Sequence, residues 1–135
     1  VCVRESPRSV PDRRMTASFV IASSSSVGGR QSQEDRTVVV PDLNKHLPLA
    51  RRLSGNEPAR AFFGVFDGHG GQACSDFLSK KFHLELAKHA KLQSDPKAAL
   101  LEVWDSMDGL FYESCVQKRK ALLNAAKRKN NAFPV

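Results

Sequence analysis

The sequence predicts an α+β fold in which helices cover an antiparallel sheet. Three observations carry that prediction: a β-branched run at 37–40 that stops at Pro41, an almost continuous apolar run at 62–66, and two later stretches whose apolar residues recur at helical spacing. The resulting order is strand, strand, strand, helix, helix, with no internal repeat.

Residues 1–17 mix Pro7, Pro11, arginines and serines without any period, and read as a flexible basic arm. Phe19, Val20 and Ile21 then suit a short strand, over about 18–22, followed by the run Ser23 to Ser26 and Gly28-Gly29 in an exposed loop. The next strand, 37–40, ends where Pro41 removes the backbone donor that an interior strand needs. Asn44, Pro48, Ser54, Gly55, Asn56 and Pro58 give 42–60 the composition of an exposed connection. The apolar run makes a third strand over about 61–66, so that 37–40 and 61–66 pair as a long-looped hairpin.

Between 71 and 91 the positions Cys74, Leu78, Phe82, Leu86 and Ala90, with Phe77 beside them, predict a core-facing helix. A second helix is expected over about 95–117. Asp95 is its N-cap and Pro96 its first residue, where the missing backbone donor costs nothing. Leu100, Val103, Trp104, Met107 and Phe111 then form its core stripe. The sequence thus divides into the arm (1–17), one domain (18–120) and a basic tail without assigned structure (121–135).

A length of 135 residues, 41% of them hydrophobic and 26% charged, suits a single globular domain and excludes a wholly disordered chain. The net charge of +7 sits largely at the two ends, where Arg4, Arg8, Arg13 and Arg14 face Lys118, Arg119, Lys120, Lys127, Arg128 and Lys129 across the sequence. Such ends attract polyanions. No zinc spacing or aromatic RNA-binding signature accompanies them, so no specific nucleic-acid partner is expected. Cys2, Cys74 and Cys115 are far apart and form no Cys-x-x-Cys pair, which suits reduced thiols in the cytoplasm or nucleus. No apolar run has the length of a signal peptide or membrane span, and no membrane partner is expected. The first residue, Val1, is not Met, a clue to incompleteness at that end.

Asp67 is the centre of the chemical reading, because a carboxylate directly after an apolar strand is held at a sheet edge where sites gather. Gly68 and Gly70-Gly71 allow sharp turns and a close backbone approach. Taken alone, Asp-Gly is a common turn, and Glu34-Asp35-Arg36 is equally a solvated polar turn. If the two strands pair, however, Glu34 and Asp35 come to face Asp67. Carboxylates gathered in one place repel one another unless a hard cation neutralises them, and oxygen-only ligands favour Mg2+ or Mn2+.

The run Phe62-Phe63-Gly64-Val65-Phe66-Asp67-Gly68-His69-Gly70-Gly71 resembles the signature of the metal-dependent serine/threonine protein phosphatases of the PPM, or type 2C, family. The segment Arg30-Gln31-Ser32-Gln33-Glu34-Asp35-Arg36 resembles the same family's upstream arginine and Glu-Asp segment. The resemblance covers about 18–115 and implies the start of an antiparallel β-sandwich flanked by helices, left incomplete. It implies metal-dependent hydrolysis of phosphoserine and phosphothreonine in proteins, with two Mg2+ or Mn2+ ions in the complete domain and a water as nucleophile. By position, Asp67 would bridge the two ions, Gly68 would offer its carbonyl to one and Glu34 would bind the other. Asp35 would act through the metals' waters, Arg30 would hold the substrate phosphate and His69 would be the general acid. His46, His83 and His89 match no motif and are read as surface groups.

The family's later strands, which supply further aspartates, find no counterpart, since the last acidic residue is Glu113. The chain is therefore expected to be the amino-terminal part of a phosphatase domain, monomeric, acting on phosphorylated proteins when complete and inactive alone. The alternative is a non-catalytic phosphatase-like module that binds phosphorylated partners through Arg30 and its basic ends.

Overall fold

The computed structural model describes residues 2–5, 19–55 and 57–131. Four strands form two separate two-stranded sheets, with β1 (Cys2–Glu5) antiparallel to β2 (Phe19–Ala22), and β3 (Arg36–Val40) antiparallel to β4 (Phe62–Phe66). The expected hairpin of 37–40 and 61–66 is thus present. The described residues do not assemble a β-sandwich: each sheet stops at two strands. β1 falls inside the stretch read as a flexible arm, whose residues 1 and 6–18 lie outside the described ones.

The connection 42–60 is more structured than its composition suggests. Leu43–His46 form a single turn of 3-10 helix capped by the Asp42 side chain, and Leu49–Ser54 form the short helix α1, which ends on Gly55 in the left-handed conformation with φ of 67°. Core burial and the hydrogen bond from Arg51 Nη1 to the His89 carbonyl at 3.2 Å bind this segment to the body, and Glu57 braces it internally. Leu43 and Leu47 are buried in the core. Glu57, only 7% exposed, accepts hydrogen bonds from Arg51 at 2.7 Å and Arg60 at 3.0 Å. The Arg51 bond, reinforced by Arg60, outweighs burial and holds the Glu57 carboxyl below its ordinary value of 4.5.

α2 (Ala73–Lys88) covers the β3–β4 sheet, and α3 (Pro96–Asn131), joined to it through a 3-10 turn at Ala90–Leu92, packs on α2. The expected α3 start is present in detail, since the Asp95 carboxylate accepts from the Ala98 N–H at 3.0 Å. The helix nevertheless runs on past 117 to Asn131, absorbing most of the presumed tail. Ala121-Leu122-Leu123-Asn124-Ala125-Ala126 is built largely of strong helix formers, and no glycine or proline interrupts it. No helix among the described residues is long and apolar enough to cross a membrane.

The core is a single cluster of Leu43, Leu47, Phe66, Phe82, Leu86, Ala87, Leu92, Ala99, Val103 and Met107. Phe82 is its hub, stacked on Phe62 at 5.7 Å between ring centroids and tilted against Phe66 at 6.0 Å. The strict four-residue spacing read for α2 was misleading. At about 3.6 residues per turn, each four-residue step rotates roughly 40° around the helix, so Cys74 turns out to solvent while Ser75, Phe82 and Leu86 face inward. On α3 the buried line is Ala99, Val103 and Met107, whereas Leu100 and Trp104, expected in the core, are exposed. Trp104 keeps one edge contact with Phe82, at 5.9 Å.

His83 also departs from expectation. Instead of lying at the surface it packs edge-on against His46, at 5.3 Å, with its Nδ1 buried and without a hydrogen bond. Burial, and then the neighbouring His46, push its pKa down.

Two measurements check this packing. Phe82→Ala is expected to cost about 3 to 5 kcal/mol in urea unfolding, and Trp104→Ala clearly less, because only Phe82 is buried. Both His83 and Glu57 have folded pKa values below their unfolded ones, so each contributes stability that is present above the unfolded pKa and lost as pH falls through the folded one. The midpoint of urea unfolding should therefore begin to fall below pH 6.5 through His83, and fall again below 4.5 through Glu57. His83→Leu should flatten the first decline only.

Candidate active site

The β3–β4 register sets the site. Arg36 lies opposite Phe66 and Val40 opposite Phe62, so continuing the register past the ladder's end aligns Asp35 with Asp67 at one further step and Glu34 with Gly68 at two. Glu34 and Asp35 are thereby brought against the Gly68 turn at one end of one ladder. The backbone confirms the approach: the Gly68 N–H donates to Asp35 Oδ1 at 2.9 Å, and the Gly71 N–H donates to Glu34 Oε2 at 3.1 Å.

Gly68 is buried against the Glu34 backbone so tightly that a Cβ at this position would lie 2.1 Å from the Glu34 carbonyl oxygen and 2.6 Å from its carbon. Any side chain would force the strands apart. Gly71 reaches Glu34 with φ of 109°, a conformation L side chains rarely adopt.

Two residues that the sequence reading passed over complete the frame. Ser75, 2% exposed on the first turn of α2, donates its hydroxyl to the Glu34 carbonyl, with the Gln72 carbonyl as a second acceptor at 3.1 Å. Arg36 fans out in three directions: Nε to Asp76 Oδ1 at 2.6 Å, Nη2 to Gln72 Oε1 at 2.6 Å, and Nη1 to the carbonyls of Gln33 and Asp35 at 2.8 and 2.9 Å. It buckles the Glu34-Asp35 segment to the start of α2. A usable signal existed, since Arg36 opens the strand that directly follows the acidic pair. Ser75 gave none, because a serine among apolar helix positions reads as a solvent-facing residue.

Not every predicted residue joins this constellation. Asp67 and His69 are exposed, and no hydrogen bond or ion pair among the described residues engages either side chain. Arg30 sits in an exposed turn closed by its own N–H to the Val27 carbonyl at 3.3 Å, and no such bond ties its guanidinium to the carboxylates. Among the described residues no group of three or more His, Cys, Asp or Glu side chains is close enough to hold a metal ion.

The donors are nevertheless of the right kind. Glu34 and Asp35 each commit one carboxylate oxygen to a backbone N–H, leaving the other oxygen, and Asp67 is wholly uncommitted. An anionic, oxygen-only set suits Mg2+ or Mn2+, and Mg2+ is ordinarily held by one or two carboxylates while keeping several waters.

The family model described as Protein phosphatase 2C matches residues 19–130. The chain belongs to the protein phosphatase 2C family. It is 32% identical to protein phosphatase 1F of Homo sapiens over 90 residues, which are 67% of this chain and 19% of that protein. It is 43% identical over 54 residues to probable protein phosphatase 2C 18 of Oryza sativa subsp. japonica, covering 40% of this chain and 7% of that protein. With probable protein phosphatase 2C 59 of the same rice it shares 48% identity over 46 residues, 34% of this chain and 14% of that one. This protein phosphatase 2C chain therefore spans about a fifth, or less, of the length of these relatives. No solved structure matches it.

The family match begins with β2 and ends near the last turn of α3, so it includes the ladder, α2, whose first turn holds the Glu34 carbonyl, and α3 packed on α2. The close approach at Gly68 gives a direct check. Gly68→Ala should cost about 3 kcal/mol or more in urea unfolding, against a change within about 0.5 kcal/mol for Gly29→Ala, where an added Cβ meets nothing within 4 Å.

Proposed function

We propose that this chain carries the metal-binding half of a phosphatase site that hydrolyses phosphoserine and phosphothreonine in proteins, dependent on Mg2+ or Mn2+. The observation that carries the reading is the approach of Glu34 and Asp35 to Gly68 at one end of the β3–β4 ladder, where each carboxylate accepts from a backbone N–H and Asp67 is the next residue along the chain. Such carboxylates repel unless neutralised, and hard divalent ions are their natural counterions.

Bound ions supply Lewis acidity, which brings the pKa of a water toward neutrality and offsets the charge of the phosphate. The chain's own residues do the rest. Asp67 and Glu34 act as anionic ligands, the Gly68 carbonyl as a neutral one, and Asp35 as an acceptor that orients water. Arg30, exposed and uncommitted, is suited to take two phosphate oxygens in its planar fork. His69 delivers a proton to the departing serine or threonine oxygen. The free thiols of Cys74 and Cys115 support a reducing compartment, cytosol or nucleus.

A second reading, a non-catalytic module that binds phosphorylated partners, is favoured by one observation: no described group of three ligands is close enough for a metal. The two readings separate in phosphate-release assays with Mn2+ on phosphothreonine and phosphotyrosine peptides, run on the 135-residue chain and on the longest product of its gene. The phosphatase reading expects the longest product to act on phosphothreonine alone, EDTA to abolish the release, and the 135-residue chain to be inactive if it is shorter. Asp67→Asn and Glu34→Gln should each lower kcat at least about 100-fold. Full activity in Asp67→Asn, or phosphopeptide binding without any release, would sink it in favour of another mechanism or of the module.

A further inference from the structure

Beside the carboxylates, α2 and α3 leave an open groove of about 520 Å3 that the proposed reaction does not use. Its lining includes Gly71, the residue whose N–H holds Glu34, and Phe77, which packs on Phe111 at 5.4 Å between ring centroids. Lys80 and Lys81 line it from α2, Ser114 and Lys118 from α3. All three lysines are exposed, and none of them is in an ion pair among the described residues. The one acid in the groove, Asp76, is already paired with Arg36 at 2.6 Å. The groove is thus a cationic channel with its compensating charge removed, opening directly onto the candidate site.

We infer that this groove binds an acidic segment of the substrate polypeptide flanking the phosphorylated residue. The inference rests on the phosphatase reading and adds to it a substrate class: phosphoproteins with glutamate or aspartate near the phosphosite. Charge complementarity names the occupant, since three unpaired ammonium groups on two helices match a run of carboxylates. The spacing fits as well. Lys80 stands seven positions after the start of α2, about 10 Å along its axis, which an extended peptide crosses in roughly three residues. The acidic residues should therefore begin about three positions from the phosphoresidue.

Fluorescence anisotropy with the 135-residue chain at low salt tests this, using four peptides: phosphorylated or not, each with glutamates three to five positions from the target threonine or with glutamines there. The glutamate peptides should bind about tenfold more tightly than the glutamine ones, whether phosphorylated or not. Lys80→Glu/Lys81→Glu/Lys118→Glu should erase that difference, and Lys127→Glu/Arg128→Glu/Lys129→Glu on distal α3 should keep it, with circular dichroism confirming both fold. Equal binding of glutamate and glutamine peptides overturns the groove assignment. Retention of the preference in the groove variant does the same, as does an oligonucleotide of equal charge that binds as tightly through the same lysines. Failure of the phosphatase reading looks different: the longest gene product with Mn2+ then releases no phosphate from either phosphopeptide while the lysine-dependent glutamate preference persists.

Discussion

The close approach of Gly68 to the Glu34 carbonyl is the constraint on which the site depends. Slipping the ladder by one residue would place Asp67 or His69 where no Cβ can fit, so the absence of a side chain at one position fixes the register of both strands. That register in turn decides which acids meet. Asp35 reaches the Gly68 N–H only because the two strands are locked in this alignment. At the opposite end of the same ladder Phe62 reaches Phe82, so the contact that builds the site also seats the sheet on the core.

The orientation of α2 follows from two attachments of different chemistry. Near its start, Ser75 and the Arg36 partners Gln72 and Asp76 tie it to the acidic segment by hydrogen bonds. Midway along, Phe82 presses on Phe62 and Phe66. The polar attachment contributes little to stability as an ion pair, because Arg36 and Asp76 remain 27% and 34% exposed and water competes for both. Its value is geometric. Four acceptors around one planar guanidinium define the position of the Asp35 carbonyl, and with it the direction of the two carboxylates, more narrowly than apolar contacts do.

Much of this was legible in the residues. The strand pair and the Asp95-Pro96 helix start follow from the sequence pattern and are present, as is the close approach of Gly68 to Glu34 and Asp35. What was not legible depended on tertiary context. Pro48 before α1 and Gly55 after it are helix punctuation, but the many turn formers of 42–60 hid a segment whose stability comes from burying Leu43, Leu47 and Glu57. Trp104 is apolar by type and exposed by position, because it stands about 100° around the helix from Val103, and spacing alone did not show that the Ala99–Val103–Met107 line is the packed face. Ser75 works through backbone carbonyls, which carry no sequence signal, whereas Arg36 was marked only by its place after the acidic pair. His83 was passed over because burial is a property of its neighbours.

On the proposed reading one small surface seeks cations and anions at once, and the distribution of charge allows it. The acids occupy the ladder end, and the unpaired lysines line the helices beyond it. Were the ammonium groups in direct contact with the carboxylates, they would neutralise them and remove the attraction for a divalent ion. Lys80 instead lies about 10 Å along α2 from the helix start, beyond a Debye length of roughly 8 Å at physiological salt. Between the two regions stands the Arg36–Asp76 pair, internally neutral, which takes the nearest cation and the nearest anion out of competition. The carboxylates therefore keep their negative charge for ligands arriving from solvent, and the lysines keep theirs.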